Sequence, residues 1–177
     1  LVAGFLYNER LINSKDEISS IYVCDTADTV EVQTLNELKK PTSWVKTTGC
    51  SGGLTSQRIE FPERPILNEL TLPAGALSEI IKTFLEEQNR LSTSRGLHCS
   101  AISDGFSLIS IAEDIGRHNT LDKLMGSILL NSPCSNPALL LTTGRISSEM
   151  LQKAGRIGAS ILVSLTSPNL FTVQLAD

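Results

Sequence analysis

No apolar run in the 177 residues approaches the length of a membrane span, so no membrane partner is expected. The first residues, Leu1 to Ile12, show helical periodicity with an acid at Glu9, unlike a basic, cleavable signal sequence. Basic runs are missing too. Lys and Arg are scattered without interleaved aromatics, aromatics make up only 5% of the chain, and the net charge is −4 with a sequence pI near 5.2. Nucleic acid is therefore not an expected partner, although a local basic pocket would still hold a phosphate-bearing ligand. Histidine is scarce, with only His98 and His118. The four cysteines (Cys24, Cys50, Cys99, Cys134) lie at wide, unpatterned spacings, which argues against a disulfide framework and for reduced thiols in the cytoplasm. What remains, 41% hydrophobic and 19% charged residues in 19.1 kDa, suffices for one globular domain with a real core.

Read along the chain, Ile18 to Cys24 and Thr29 to Leu35 form a predicted hairpin, the second strand alternating Val30 and Val32 with Glu31 and Gln33. From Lys40 to Pro65 Gly and Pro break any periodicity, a stretch long enough to be functional or disordered. Pro73 suits the first turn of a helix whose buried stripe is Leu77, Ile80, Ile81, Phe84 and Leu85. Leu97 to Ile102, a tight turn at Asp104-Gly105, and Phe106 to Ala112 predict a second hairpin. A helix with Leu121, Leu124, Met125, Ile128 and Leu129 on one face follows, then a strand over Ala138 to Thr142, a helix from about Ser147 to Ile157, and a strand over Ile161 to Leu165, both strands read as covered on two faces. This order predicts a three-layer α/β fold with a mixed sheet, its parallel part in the C-terminal third.

The richest segment is Glu113-Asp114-Ile115-Gly116-Arg117-His118-Asn119-Thr120-Leu121-Asp122-Lys123, which falls between a predicted strand and a predicted helix. Such junctions place side chains and free helix N–H groups at a crevice mouth, whereas a plain helix start needs one Asp or Asn. Arg117 and His118 are donors suited to a phosphate or a heterocycle edge. Asp122, one helical turn on, is placed to orient the His118 ring. Gly144 and Arg145, before Ser147 and Ser148, make a second junction of the same kind, though Arg145 with Glu149 four residues on also reads as an ordinary helix ion pair. His98 and Cys99 are neighbours in a strand and point to opposite faces; the expected arrangement buries Cys99 and turns His98 the other way. Cys24 and Cys134 receive structural readings. Cys50 sits in Thr47-Thr48-Gly49-Cys50-Ser51-Gly52-Gly53, a Gly-rich loop that fits either a bare surface thiol or a mobile sulfur carrier.

These residues carry a resemblance. The 113–123 segment is similar to the signature of the formate dehydrogenase accessory proteins of the FdhD family, Glu-Asp-Val-Gly-Arg-His-Asn-Ala-Val-Asp-Lys. Gly4-Phe5-Leu6-Tyr7-Asn8-Glu9 resembles the family's Gly-Phe-Leu-x-x-Glu, Gly96-Leu97-His98 its Gly-Gly-Leu-His, and Gly144-Arg145-Ile146-Ser147-Ser148-Glu149-Met150 its Gly-Arg-x-Ser-x-Glu-Met. The resemblance implies a cytidine deaminase-like fold, a homodimer, and further strands and a Gly-rich, basic tail outside the 177 residues. It also implies a function: Cys50 accepts sulfur from a cysteine desulfurase as a persulfide and passes it to the molybdenum cofactor, bis-molybdopterin guanine dinucleotide, for formate dehydrogenase. The alternative is a chaperone that binds the cofactor or docks on the dehydrogenase without covalent chemistry. The candidate contacts for that cofactor, read from the residues themselves, are His98, Arg117, His118, Asp122, Gly144, Arg145 and Ser147. Many relatives hold Cys-x-x-Cys in the loop, but Gly53 replaces the second cysteine here, which removes an internal disulfide. No zinc is expected, because His98 is followed by Cys99-Ser100 and Pro133-Cys134 by Ser135-Asn136-Pro137, so neither deaminase zinc motif is complete.

Overall fold

The computed structural model describes residues 1–26, 28–38, 45–46, 54–55, 71–91, 96–131 and 137–176. Cys50, Gly53 and Cys134 lie outside the described residues. The elements are α1 (Val2–Asn8), β1 (Ile18–Val23), β2 (Val30–Thr34), β3 (Val45–Lys46), β4 (Leu54–Thr55), α2 (Ala74–Leu91), β5 (His98–Ser103), β6 (Leu108–Asp114), α3 (Arg117–Asn131), β7 (Leu139–Thr142), α4 (Ser148–Ile157), β8 (Ile161–Ser164) and α5 (Leu170–Ala176). No described helix is long and apolar enough to cross a membrane.

The main sheet has the order β6-β5-β7-β8. β5 is antiparallel to both β6 and β7, while β7 and β8 are parallel. It follows that β6, β7 and β8 run in one direction, and each is followed by a helix. Their carboxyl ends share one edge, where His98, paired with Asp114, also starts β5.

Period-two alternation sorts β5 between two layers. Cys99 and Ala101 join Leu139 and Leu141 under Ile80 and Phe84 of α2. Ile102 and Leu140 face Leu121, Leu124 and Met125 of α3 and Met150, Ala154 and Ile157 of α4. Helices thus cover both faces of a mixed sheet, the three-layer arrangement expected. α1 lies against α3 at the closest backbone approach: a Cβ on Gly4 would stand 1.8 Å from the Asp122 carbonyl oxygen and 2.5 Å from Gly126 N. Only glycine permits that crossing.

Several boundaries differ from expectation for local reasons. β6 begins at Leu108, and Phe106 is 91% exposed at the tip of a four-residue turn. Asp104 Oδ1 accepts from Phe106 N at 2.9 Å and Ser107 N at 2.8 Å, and Gly105 takes φ +98°, so the Asp side chain builds a longer turn than Asp-Gly alone suggested. Leu85 is exposed, whereas Ile80 and Phe84 are buried and Leu77 and Ile81 pack partly against the same cluster, so the contact stripe of α2 ends short of Leu85. β8 is half-buried rather than covered, being an edge strand. Cys24 falls in the β1–β2 turn, where its Sγ contacts Asp28 Oδ1 at 3.0 Å, rather than in the strand.

Candidate functional site

At the first junction, β6 to α3, Asp114 accepts from Gly116 N and Asn119 Nδ2, both at 2.9 Å, and pairs with Lys123 Nζ at 2.8 Å. Lys123 Nζ also donates to Glu113 O at 2.7 Å. Half of the polar signature is thus a brace that sets where α3 begins. Arg117 and His118, the first residues of that helix, take no part in that brace.

The second junction, β7 to α4, ends in an N-cap. Ser147 is extended, and its Oγ accepts from Met150 N at 3.5 Å. Glycine is required sterically at position 144, because a Cβ there would stand 2.9 Å from Arg117 Cβ. That contact lays Arg117 across the neighbouring junction. The third junction, β8 to α5, brings Ser167, Pro168 and Asn169. Asn169 Oδ1 is held by Thr172 N at 2.7 Å and Thr172 Oγ1 at 2.6 Å, which leaves its Nδ2 as a donor.

Arg117, Arg145, Ile146, Ser147, Ser167, Pro168 and Asn169 line one cavity of about 400 Å³. It lies outside the carboxyl ends of co-directional strands, where α/β proteins take ligands. None of the described lining residues is acidic. Arg117 Nε is buried without a hydrogen-bond partner among the described residues, a donor that a ligand oxygen would satisfy. His118 Nε2 lies 3.4 Å from Ser147 Oγ. Burial, with Arg117 and Lys153 nearby, pushes the His118 imidazole down to about 4. Burial and the Arg117 and Arg145 guanidiniums also lower His98. Two imidazoles that stay neutral near pH 7 and two permanent guanidiniums make a site for anionic groups.

The structure therefore brings together Arg117, His118, Gly144, Arg145 and Ser147, with His98 at the same sheet edge. Asp122 does not join them. It is 1% exposed, and its carboxylate takes Lys153 Nζ at 2.6 and 2.7 Å and Asn8 Nδ2 at 2.7 Å, so the expected ring-orienting contact to His118 is replaced by Ser147. The ion pair of Arg145 with Glu149 is absent too: Arg145 is exposed, and Glu149 lies 3.4 Å from the Ser148 hydroxyl. Cys99 is fully buried, and burial pushes its thiol up to about 12, which leaves it inert at neutral pH. The third wall, Ser167-Pro168-Asn169, escaped the sequence reading; a turn pair followed by an N-cap residue after an apolar strand was the available signal. Among the described residues, no three His, Cys, Asp or Glu side chains converge in metal-binding geometry.

Fold and site together define a class: a mixed-sheet, three-layer α/β protein with a basic crevice where three strand-to-helix junctions meet. Within that class the chain belongs to the FdhD/NarQ family, whose model matches residues 1–177. It is similar to the sulfur carrier protein FdhD of Bacillus subtilis (strain 168), 32% identical over 184 residues that span 100% of this chain and 70% of that protein. The sulfur carrier protein FdhD of Staphylococcus aureus (strain Newman) is 30% identical over 183 residues, spanning 100% and 69%. A crystal structure of a protein from Desulfotalea psychrophila, described as a formate dehydrogenase accessory protein, superimposes with a TM-score of 0.72 at 30% identity. The alignment covers 98% of this chain but 66% of that one, just under two thirds.

Proposed function

We propose that this chain is a sulfur carrier serving formate dehydrogenase, with Cys50 as the carrying thiol and the three-junction crevice as the place where the guanine nucleotide end of the molybdenum cofactor is held. The observation that supports cofactor binding is the crevice itself: Arg117, Arg145 and Ser147 around a cavity of about 400 Å³ with no acid among its described lining residues. Planar guanidinium forks and an N-capped helix start suit diphosphate oxygens. Family membership and the names of its relatives support the sulfur chemistry. In that chemistry the Cys50 thiolate attacks the outer sulfur of a persulfide on a cysteine desulfurase and displaces the desulfurase thiolate. That exchange involves no net oxidation; delivery of the outer sulfur as sulfide to bis-molybdopterin guanine dinucleotide then releases the Cys50 thiolate and consumes two electrons, supplied by a small-molecule thiol that is oxidised to its disulfide. With glycine at position 53, the carrier hands sulfur on directly instead of closing a disulfide. The reading includes a homodimer, cytoplasmic location, and a cytidine deaminase-like scaffold that works without zinc.

Two measurements test it. After incubation with a desulfurase and cysteine, the Cys50 peptide gains about 32 Da, one sulfur atom, and Cys50→Ala gains nothing. An adduct on Cys24, Cys99 or Cys134 in its place ends the assignment. In titrations with guanosine diphosphate, Arg117→Ala and Arg145→Ala each lose about 1.5–3 kcal/mol of binding, the range for a charged hydrogen bond. Unchanged affinity in both moves the nucleotide elsewhere, and binding without any sulfur adduct leaves a chaperone.

A further inference from the structure

A row of hydroxyl groups runs through the buried layer beneath the crevice. Thr120 Oγ1 of α3 donates to Arg117 O at 2.6 Å. Ser100 Oγ of β5 donates to Thr142 Oγ1 of β7 at 2.9 Å and lies 2.7 Å from Thr120 Oγ1. Thr142 Oγ1 in turn accepts from Gly144 N at 3.0 Å. The same glycine is held from the other side, its carbonyl accepting from Ser164 Oγ of β8 at 2.9 Å, and Ser164 Oγ accepts from Thr166 N at 2.9 Å. Backbone groups of all three junctions are thereby tied into one chain of hydrogen bonds along the sheet edge.

Stability alone does not call for this arrangement. Ser100, Thr120 and Thr142 are 0% exposed, and Ile102, Leu121 and Leu140 stand beside them in sequence or register. Valine has nearly the shape of threonine, and a buried hydrogen bond adds little net stability because water bonds are given up to make it. What hydroxyls supply and methyl groups do not is a fixed distance between particular backbone atoms. Here the linked atoms are the carbonyl of Arg117 and the amide of Gly144, which precedes Arg145.

The geometry points to Thr120, Ser100 and Thr142 as positioning residues that hold the two arginine-bearing junctions at the spacing an oligophosphate ligand requires. The inference rests on the reading of the crevice as a nucleotide site. Two forks separated by a wrong distance bind one phosphate group well and lose the second, so a small loosening is felt as lost affinity.

The test uses Thr120→Val and Thr142→Val, which exchange each hydroxyl for a methyl group, beside Thr120→Ser and Thr142→Ser, which keep it. Guanosine diphosphate should bind the valine variants about three- to tenfold more weakly, and the serine variants within about twofold of wild type, with all four folded at the assay temperature. Amide hydrogen exchange, read without ligand, should speed up at Gly144 and Arg145 in Thr120→Val, although the substituted residue lies in another element. Valine variants that bind like wild type while Arg117→Ala binds weakly would overturn the positioning role and leave the nucleotide site standing. If wild type takes up no guanosine diphosphate, the site reading fails; the exchange arm still judges the linkage, and acceleration confined to α3 refutes it.

Discussion

A Gly144→Ala substitution would set a methyl group 2.9 Å from Arg117 Cβ, 3.3 Å from its Cδ and 3.4 Å from Thr142 Oγ1. The first contact is shorter than real Cβ atoms tolerate, and it falls on the root of the arginine side chain rather than its flexible end. Backbone conformation is no obstacle, since Gly144 is not among the left-handed glycines Gly96, Gly105 and Gly158. Alanine would even favour folding by about 0.4–1 kcal/mol through the unfolded chain. Overpacking opposes this with about 1–3 kcal/mol. Neither partner yields easily, because Gly144 is bonded at both N and O and Arg117 O is bonded to Thr120. The net expectation is a loss of roughly 1–2 kcal/mol, or about 2–8 °C in Tm for a chain of this size. Displacing Arg117 should also remove part of its charged hydrogen bonds to a diphosphate, on the order of tenfold in affinity. Calorimetric melting and a guanosine diphosphate titration read the two effects on one sample. An unchanged Tm with unchanged affinity would show that the junctions have slack, and the steric argument would fail.

Gly4→Ala should be more severe, because its Cβ would meet backbone of α3 at 1.8 Å and α1 must lift away; loss of more than about 3 kcal/mol in a denaturant melt is expected, and a mild effect would place α1 differently. Lys153→Met leaves the Asp122 carboxylate buried without its cation, which should cost about 3–5 kcal/mol, while Asp122→Asn with Lys153→Met should recover part of it in a double-mutant cycle. The lowered His118 makes stability depend on pH in a definite direction. Its contribution is full above the ordinary value of 6.5 and is lost as pH falls toward about 4, by roughly 3 kcal/mol at most, and His118→Gln should flatten urea midpoints over that window. An anion bound beside His118 would raise the imidazole and let it take up a proton, so guanosine diphosphate affinity should rise as pH falls from 7 to 5 in wild type and rise less in His118→Gln.

Much of the architecture was legible in the chain because it is written in local periods. Leu121, Leu124 and Met125 mark the buried side of α3 at helical spacing, Val30 and Val32 mark one face of β2, and an unbroken apolar run marks β7 as an inner strand. The two junctions bearing Arg117 and Arg145 were visible for the same reason: a polar cluster interrupts one period just before another begins. Less legible was the division of labour inside the signature. Asp114, Asn119 and Lys123 brace the helix start while Arg117 lines the cavity, a distinction that depends on which way each side chain leaves the junction.

The sequence by itself determined most of the helices and strands, though not α5 or the short β3–β4 pair, most of the residues each would bury, Leu85 and Phe106 excepted, and the chemistry available at their ends, since those follow from spacings of two to four residues. Only the tertiary structure decided that β5 would lie reversed between β6 and β7, so that three strand ends open on one edge and Ser167-Pro168-Asn169 becomes a wall of the crevice. It also decided the partner of Asp122. Sequence spacing offered His118 four residues away, but folding brought Lys153, 31 residues on, and Asn8, 114 residues back, into the same buried space. A carboxylate removed from water takes the cation and donor that are buried with it, and which groups those are is settled by the packing of helices, not by distance along the chain.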